Sequence, residues 1–124
     1  MGLIFERVCT DYLSVKNAMG ELPILFTSIG RWWGTNPVTH GQEEIDLVAN
    51  DGKDYIFGEC KWRNEKLDLS VLRKLKAKAD IFSKNRNSIY YMLFSKSGFT
   101  EAVINEAKSD SSIMLVDLDE IMNF

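Results

Sequence analysis

Residues 50–53 read Asn-Asp-Gly-Lys and stand between two runs of strand-forming side chains, 44–49 and 55–62. Asn-Asp-Gly sequences tolerate the left-handed backbone that tight turns demand, so the segment predicts an antiparallel hairpin. That hairpin governs whatever chemistry sits on it. Side chains alternate between the faces of a strand, and a slip of one residue exchanges the two faces. In the second strand Tyr55, Phe57, Glu59 and Lys61 share one face, while Cys60 and Trp62 share the other. A charge in the middle of an apolar strand is costly unless it is paired or binds something. Glu59 and Lys61 therefore need an explanation.

The remaining segments give the hairpin its setting. Phe5, Val8, Cys9, Tyr12, Val15 and Met19 recur at helical spacing and predict a helix over 3–19, with Gly20 as its stop. Residues 24–33 read as a strand and 34–41 as a loop. Leu69, Leu72, Leu75, Ala79 and Phe82 form one apolar face of a helix over about 68–84. Residues 89–94 and 113–116 are continuous apolar runs and read as buried strands. A shorter helix over 100–108, capped by Thr100, separates them, and 118–124 closes as a helical turn. The order α-β-β-β-α-β-α-β implies an α/β fold, with a mixed sheet flanked by helices.

Composition excludes several function classes. At 124 residues, 45% hydrophobic and 27% charged, the chain is expected to form one globular domain, 1–124. Its apolar runs are too short to span a bilayer, and Glu6 and Arg7 follow too soon after Met1 for a signal peptide. A cytoplasmic location with no membrane partner is the expectation. Cys9 and Cys60 lack metal-finger spacing and read as reduced core thiols, with one disulfide as the alternative. His40 is the single histidine, so a histidine-rich zinc site is excluded. Charge is unevenly spread. Residues 61–86 carry nine cationic residues against three acidic ones, a net +6 that leaves −9 elsewhere in a chain totalling −3. Such a division suits a protein that places phosphates beside a carboxylate metal site, although charge asymmetry alone favours a solvated helix face.

Asp46 and Glu44 share a face of the first hairpin strand. With Asp51-Gly52 as a two-residue turn, position 46 lies opposite 57 and diagonal to 59, a separation of roughly 7–8 Å between Cβ atoms. Two carboxylates so placed can hold Mg2+, which keeps several waters and takes one or two carboxylates plus phosphate. Lys61 beside them can stabilise charge developing on a phosphate or orient the attacking water. Glu6, one turn into the first helix, reaches the same place if that helix crosses the sheet. Spacing alone favours the other reading, a first-turn partner of the helix dipole.

Asp46, twelve residues and then Glu59-Cys60-Lys61, in this element order, resembles the PD-(D/E)XK nuclease superfamily, whose core is α-β-β-β-α-β. Phe5-Glu6, IGRWWG (29–34), EEIDLVA (43–49), GECKW (58–62), LRKLKAKA (72–79) and FSKSGF (94–99) together are similar to the nuclease-like C-terminal domain of archaeal and bacterial ATPases. The resemblance covers nearly the whole chain. It implies a restriction-endonuclease-like mixed central sheet with an added helix and strand. It implies Asp46 and Glu59 as metal ligands, Lys61 as the catalytic lysine and Glu6 as a supporting acid. Ile45 stands where the superfamily's name-giving proline would be, and no Walker motif is present.

Other residues admit two readings each. Lys74 and Lys78, one turn apart, fit a solvated helix face; in related nucleases this helix adds a polar residue to the site or to DNA contacts, and Arg73 and Arg63 join them as DNA-binding candidates. Trp32 and Trp33 fall on opposite faces, one for packing and the other for a partner contact or a base. Glu43 and Glu44 are alternative metal ligands or orient Lys61. His40 reads as a loop histidine and Cys60 as a small buried hydrophobe. The expected function is Mg2+-dependent hydrolysis of DNA phosphodiesters, with Mn2+ as an alternative ion. The competing expectation is a catalytically weak or inactive DNA- or protein-binding module attached to an ATPase, in cis or in trans. A homodimer is compatible with either, as is excision from a larger ATPase-containing protein.

Overall fold

The computed structural model of the chain describes residues 2–82 and 88–123. The first helix, α1, runs Gly2–Ala18. It ends where the sequence places its glycine: Gly20 has φ 70°, its N–H donates to the Asn17 carbonyl at 3.1 Å, and the Glu21 N–H donates to the Lys16 carbonyl at 3.0 Å. These two bonds satisfy carbonyls that a helix end otherwise leaves open. Strand β1, Ser28–Thr35, starts later than the expected 24–33. The cause is local. The Asn17 side-chain amide accepts from the Phe26 N–H and donates to the Phe26 carbonyl, both at 2.9 Å, so this backbone is satisfied by a helix residue instead of a neighbouring strand.

Strands β2, Gln42–Asn50, and β3, Tyr55–Lys61, form the expected hairpin. Its loop has four residues rather than two. Asp51 closes it by accepting from the N–H groups of Lys53 at 2.9 Å and Asp54 at 2.8 Å, with Gly52 at φ 94°. The register is therefore Asn50↔Tyr55 through Leu47↔Gly58. Displacement by an even number of residues keeps the paired side chains of 47–50 and 55–58 on their expected faces, and, continued one step past the end of the ladder, it sets position 46 opposite 59 instead of diagonal to it.

A crossover helix, α2 (Leu69–Phe82), leads to β4 (Ile89–Ser95), which pairs in parallel with β3. The expected continuation of α2 through 83 and 84, and the basic residues Lys84 and Arg86, lie outside the described residues. Helix α3, Glu101–Ser109, has Thr100 as its N-cap, its side chain accepting from the Val103 N–H. Strand β5, Ile113–Asp117, pairs in parallel with β4, and α4, Leu118–Met122, follows. The result is a mixed α/β fold with a five-stranded sheet in the order β1-β2-β3-β4-β5 and helices on both faces. No helix among the described residues is long and apolar enough to cross a membrane.

Two cores flank the sheet. On one side Phe5, Cys9, Tyr12 and Leu13 of α1 pack with Leu47, Ile56, Phe94 and Ile121. On the other, Leu72, Leu75 and Ala79 of α2 and Val103 of α3 pack with Val48, Phe57 and Leu93. The tryptophans divide as alternation requires. Trp32 packs edge-on against Phe82 at 5.5 Å, while Trp33 is 60% exposed. Gly34 is what lets the Trp32 indole lie flat along β1, because a Cβ there would collide with the ring. Gly34→Ala is expected to destabilise the protein by about 1–3 kcal/mol through forced displacement of Trp32, read from urea unfolding monitored by near-ultraviolet circular dichroism. An unchanged midpoint would show that the indole is not held there.

Candidate functional site

The site forms where the regular pairing of β2 fails. Along β1 and β2 the register runs Ser28↔Asn50, Ile29↔Ala49, Gly30↔Val48 and then Trp32↔Ile45. One residue of β1, Arg31, thus opposes two of β2, Asp46 and Leu47. This is a β-bulge, which re-aims side chains and increases local twist. Its effect is visible in the cores: Ile45 packs beside Val48 on the α2 face although the two are three apart, while Leu47 packs on the α1 face.

Asp46 sits on the bulge. Its Oδ2 accepts from the Cys60 N–H at 2.9 Å, just beyond the point where the β2–β3 ladder ends at Leu47↔Gly58. A side-chain carboxylate here satisfies a donor that the interrupted ladder leaves open. Its charge and a carboxyl contact also act on Glu59.

Glu59 is only 2% exposed. Its Oε1 accepts from Lys78 Nζ at 2.9 Å, and Lys61 Nζ lies 4.0 Å from Oε2. Burial, followed by the charge of Asp46, pushes its carboxyl up to about 7, against the pull of Lys78. The structure thus brings Asp46, Glu59 and Lys61 together and adds Lys78 from α2. The sequence placed Lys78 on a helix face that solvation alone would explain. Its partner became visible only when α2 was packed across the β3 face that carries Glu59.

The other predicted residues are distributed as follows. Lys74 and Lys78 border a depression of about 440 Å³ with Lys61 and Glu43. Arg63, Lys74, Lys78 and Lys61 line a small cleft of about 80 Å³ that reaches Glu59. Arg73 is exposed on α2 and lines neither. Glu6 projects from α1 in the opposite layer and forms an ion pair with Arg31. Glu6 therefore bears on Asp46 through Arg31, the β1 residue opposite the bulge, whose charge is coupled first to Glu6 and then to Glu44 and Asp46. Arg31 stands in β1 as the partner of the bulge, and no spacing rule in the sequence reveals such a partner.

The bulge also changes the roles of two glutamates. Strict alternation puts Glu44 with Asp46. Instead Glu44 is exposed and accepts from Trp33 Nε1 at 2.9 Å, and Glu43 takes the position beside Lys61. His40 lies on an exposed loop with φ 61°. Cys60 and Cys9 are free thiols, and their mutual contact, with burial, pushes the Cys60 thiol up, as expected for core residues. Among the described residues no group of three or more His, Cys, Asp and Glu side chains converges on a metal position.

The raised Glu59 carboxyl carries a signed consequence. Below its ordinary value of 4.5, folded and unfolded chains both hold the proton and no penalty exists. Between 4.5 and about 7 the unfolded chain loses it first, so stability falls as pH rises through this window. The loss is about 3 kcal/mol. Urea unfolding in the presence of a chelator is expected to show this decline in the wild type and its disappearance in Glu59→Gln. A wild-type profile that is flat or rises over the window contradicts the assignment.

Comparison with known proteins adds a lineage. The chain is 34% identical over 124 residues to the uncharacterized protein MJECL04 of Methanocaldococcus jannaschii, a match that takes in 97% of this chain and 25% of that protein. The chain thus spans about a quarter of the length of the curated relative it matches. No solved structure matches it. A family model described as archaea bacterial proteins of unknown function matches residues 1–79, a stretch that contains Glu6, Arg31, Asp46, Glu59, Lys61 and Lys78. On that match, which covers more than half its length, the chain belongs to this family, DUF234.

Proposed function

We propose that the domain hydrolyses phosphodiester bonds of DNA with the help of a divalent cation, at a site of the PD-(D/E)XK type. The observation that carries the reading is the convergence of Asp46 and the buried Glu59 across β2 and β3, with Lys61 two residues along the same strand. The order α1-β1-β2-β3-α2-β4 supports a restriction-endonuclease-like arrangement as part of the same proposal.

The residues present suit such an ion. Asp46 and Glu59 offer hard oxygen donors, and a carboxyl destabilised by burial and by its neighbour's charge is relieved by a cation. When bound, Mg2+ or Mn2+ supplies neutralisation of phosphate charge and a more acidic bound water. The rest is done by the chain. Lys61, partly exposed at the rim, presents an ammonium to a phosphate oxygen as negative charge grows on it. Lys78 fixes the Glu59 carboxylate and keeps it oriented. Lys74 and Arg63 line the approach and attract the backbone through sequence-independent electrostatics. Arg31, held by Glu6, supports Asp46 from the opposite layer.

A second reading has its own support. Lys78 already neutralises Glu59, and the two carboxylates lack a third protein ligand among the described residues. These features suit a DNA- or protein-binding module attached to an ATPase, with catalysis weak or lost. MJECL04 is about four times the length of this chain, which fits a module within a larger protein.

Supercoiled plasmid with Mg2+ or Mn2+ separates the two. Hydrolysis predicts nicking that Asp46→Ala and Glu59→Ala abolish and that Lys61→Ala lowers about 10²–10³-fold, together with stabilisation of the wild type by Mn2+ in thermal unfolding. Salt-dependent DNA binding without nicking, unaltered in the carboxylate variants, selects the module. Nicking that persists in Asp46→Ala overturns the proposed site.

A further inference from the structure

Beyond the C-terminal end of β3 lies a larger depression of about 780 Å³, which opens beside Lys61 and is lined on its basic side by Arg63, Lys66 and Lys96. None of these last three lies within ion-pairing distance of a carboxylate among the described residues. Arg63 acts on Asp68 only from longer range, and cations without close carboxylate partners gathered around one concavity favour an anionic ligand.

The walls are built rather than loose. The segment after β3 is tied to the segment after β4 by backbone bonds from Leu67 N–H to the Gly98 carbonyl at 2.9 Å, Thr100 N–H to the Leu67 carbonyl at 3.0 Å and Lys96 N–H to the Lys61 carbonyl at 3.1 Å. The Ser97 hydroxyl donates to the Arg63 carbonyl. Lys96 is itself seated: its Nζ donates to Asn64 Oδ1 at 3.1 Å and stands 4.8 Å from the centre of the Trp62 ring, which in turn packs on Phe5. A cation held in this way loses little side-chain freedom when it meets an anion.

The shape of the charge distribution limits the ligand. Glu65 and Asp68 share the same lining, so a phosphate chain running on through the depression would meet carboxylates. A single group with several free oxygens fits better than a continuous backbone, because it uses more donors at one place. We infer that this depression receives the terminal phosphomonoester of a nucleic-acid strand, whose neighbouring phosphodiester then lies against Lys61. Strands presented from an end would be held more tightly than continuous ones, which the site still cuts. This inference rests on the hydrolase reading for the role of Lys61, but the depression binds without any reaction.

The test is equilibrium binding of short single-stranded DNA to the intact protein in the presence of a chelator, followed by fluorescence anisotropy. Three probes of one sequence are compared: 5′-phosphorylated, 3′-phosphorylated and hydroxylated at both ends. One phosphorylated probe is expected to bind about tenfold tighter than the hydroxylated one. Lys96→Gln and Arg63→Gln are expected to remove the gain, and Lys108→Gln, in α3 and outside the lining, to keep it. Equal affinities of the wild type for all three probes overturn the inference, as does a gain that survives in the Lys96→Gln/Arg63→Gln double variant. A terminal-phosphate preference without metal-dependent nicking leaves the depression standing and removes the hydrolase reading. Nicking without that preference does the reverse.

Discussion

A carboxyl group almost wholly removed from water is the constraint around which this molecule is arranged. Glu59 lies in the central strand of the sheet, where its neighbours above and below are Phe57 and the packed face of α2. Leaving such a group ionised and alone would cost several kcal/mol (about 3–5 when one partner of a buried pair is lost). Lys78 meets part of that cost from α2, and Lys61 adds a weaker attraction at longer range. Asp46 works against both by bringing a second negative charge. Packing of α2 and the chemistry of the sheet are thus coupled: the helix that completes one hydrophobic core also delivers the ammonium that makes the acid tolerable.

The bulge between Gly30 and Trp32 performs the complementary task in the neighbouring strand. A regular β2 would send Asp46 to one face and spend its hydrogen bonds on the ladder. The extra residue lets Ile45 and Leu47 fill opposite cores while the Asp46 carboxylate bonds the Cys60 backbone. Arg31, the single residue facing the widened place, is in turn engaged by Glu6 from α1. A line of charged groups therefore crosses the sheet, from Glu6 through Arg31, Asp46 and Glu59 to Lys78, with signs that alternate except at the two adjacent carboxylates. Each of the five comes from a different element: α1, β1, β2, β3 and α2.

Much of this was readable before any fold was known. The helix and strand order, the hairpin, the Thr100 cap and the shared face of Glu59 and Lys61 all follow from periodicity and turn chemistry, which depend on near neighbours. What escaped was set by contacts distant in sequence. The start of β1 depends on Asn17 clasping Phe26. The hairpin loop closes over four residues because Asp51 captures two N–H groups, a competition that the Asp-Gly pair alone does not decide. The exchange of Glu43 for Glu44 and the involvement of Arg31 both come from the bulge, which shows no sequence mark. The meeting of Lys78 with Glu59 belongs to the docking of helix on sheet.

The bulge also sets a rule about chain length. Upstream of it the faces of β2 are inverted relative to what its downstream half dictates, so Glu43 rather than Glu44 borders the basic trough. One residue added to β1 opposite the bulge would restore simple alternation and rotate the whole upstream half of β2 by a half-turn. Ile45 would leave its core, and the acid bordering the lysines would change identity without any substitution having occurred. For a strand pair like this, the insertion of a single codon is a more drastic edit than most exchanges of side chain, and relatives with equal spacing between the tryptophan pair and Asp46 are the ones in which the same electrostatic layout can persist.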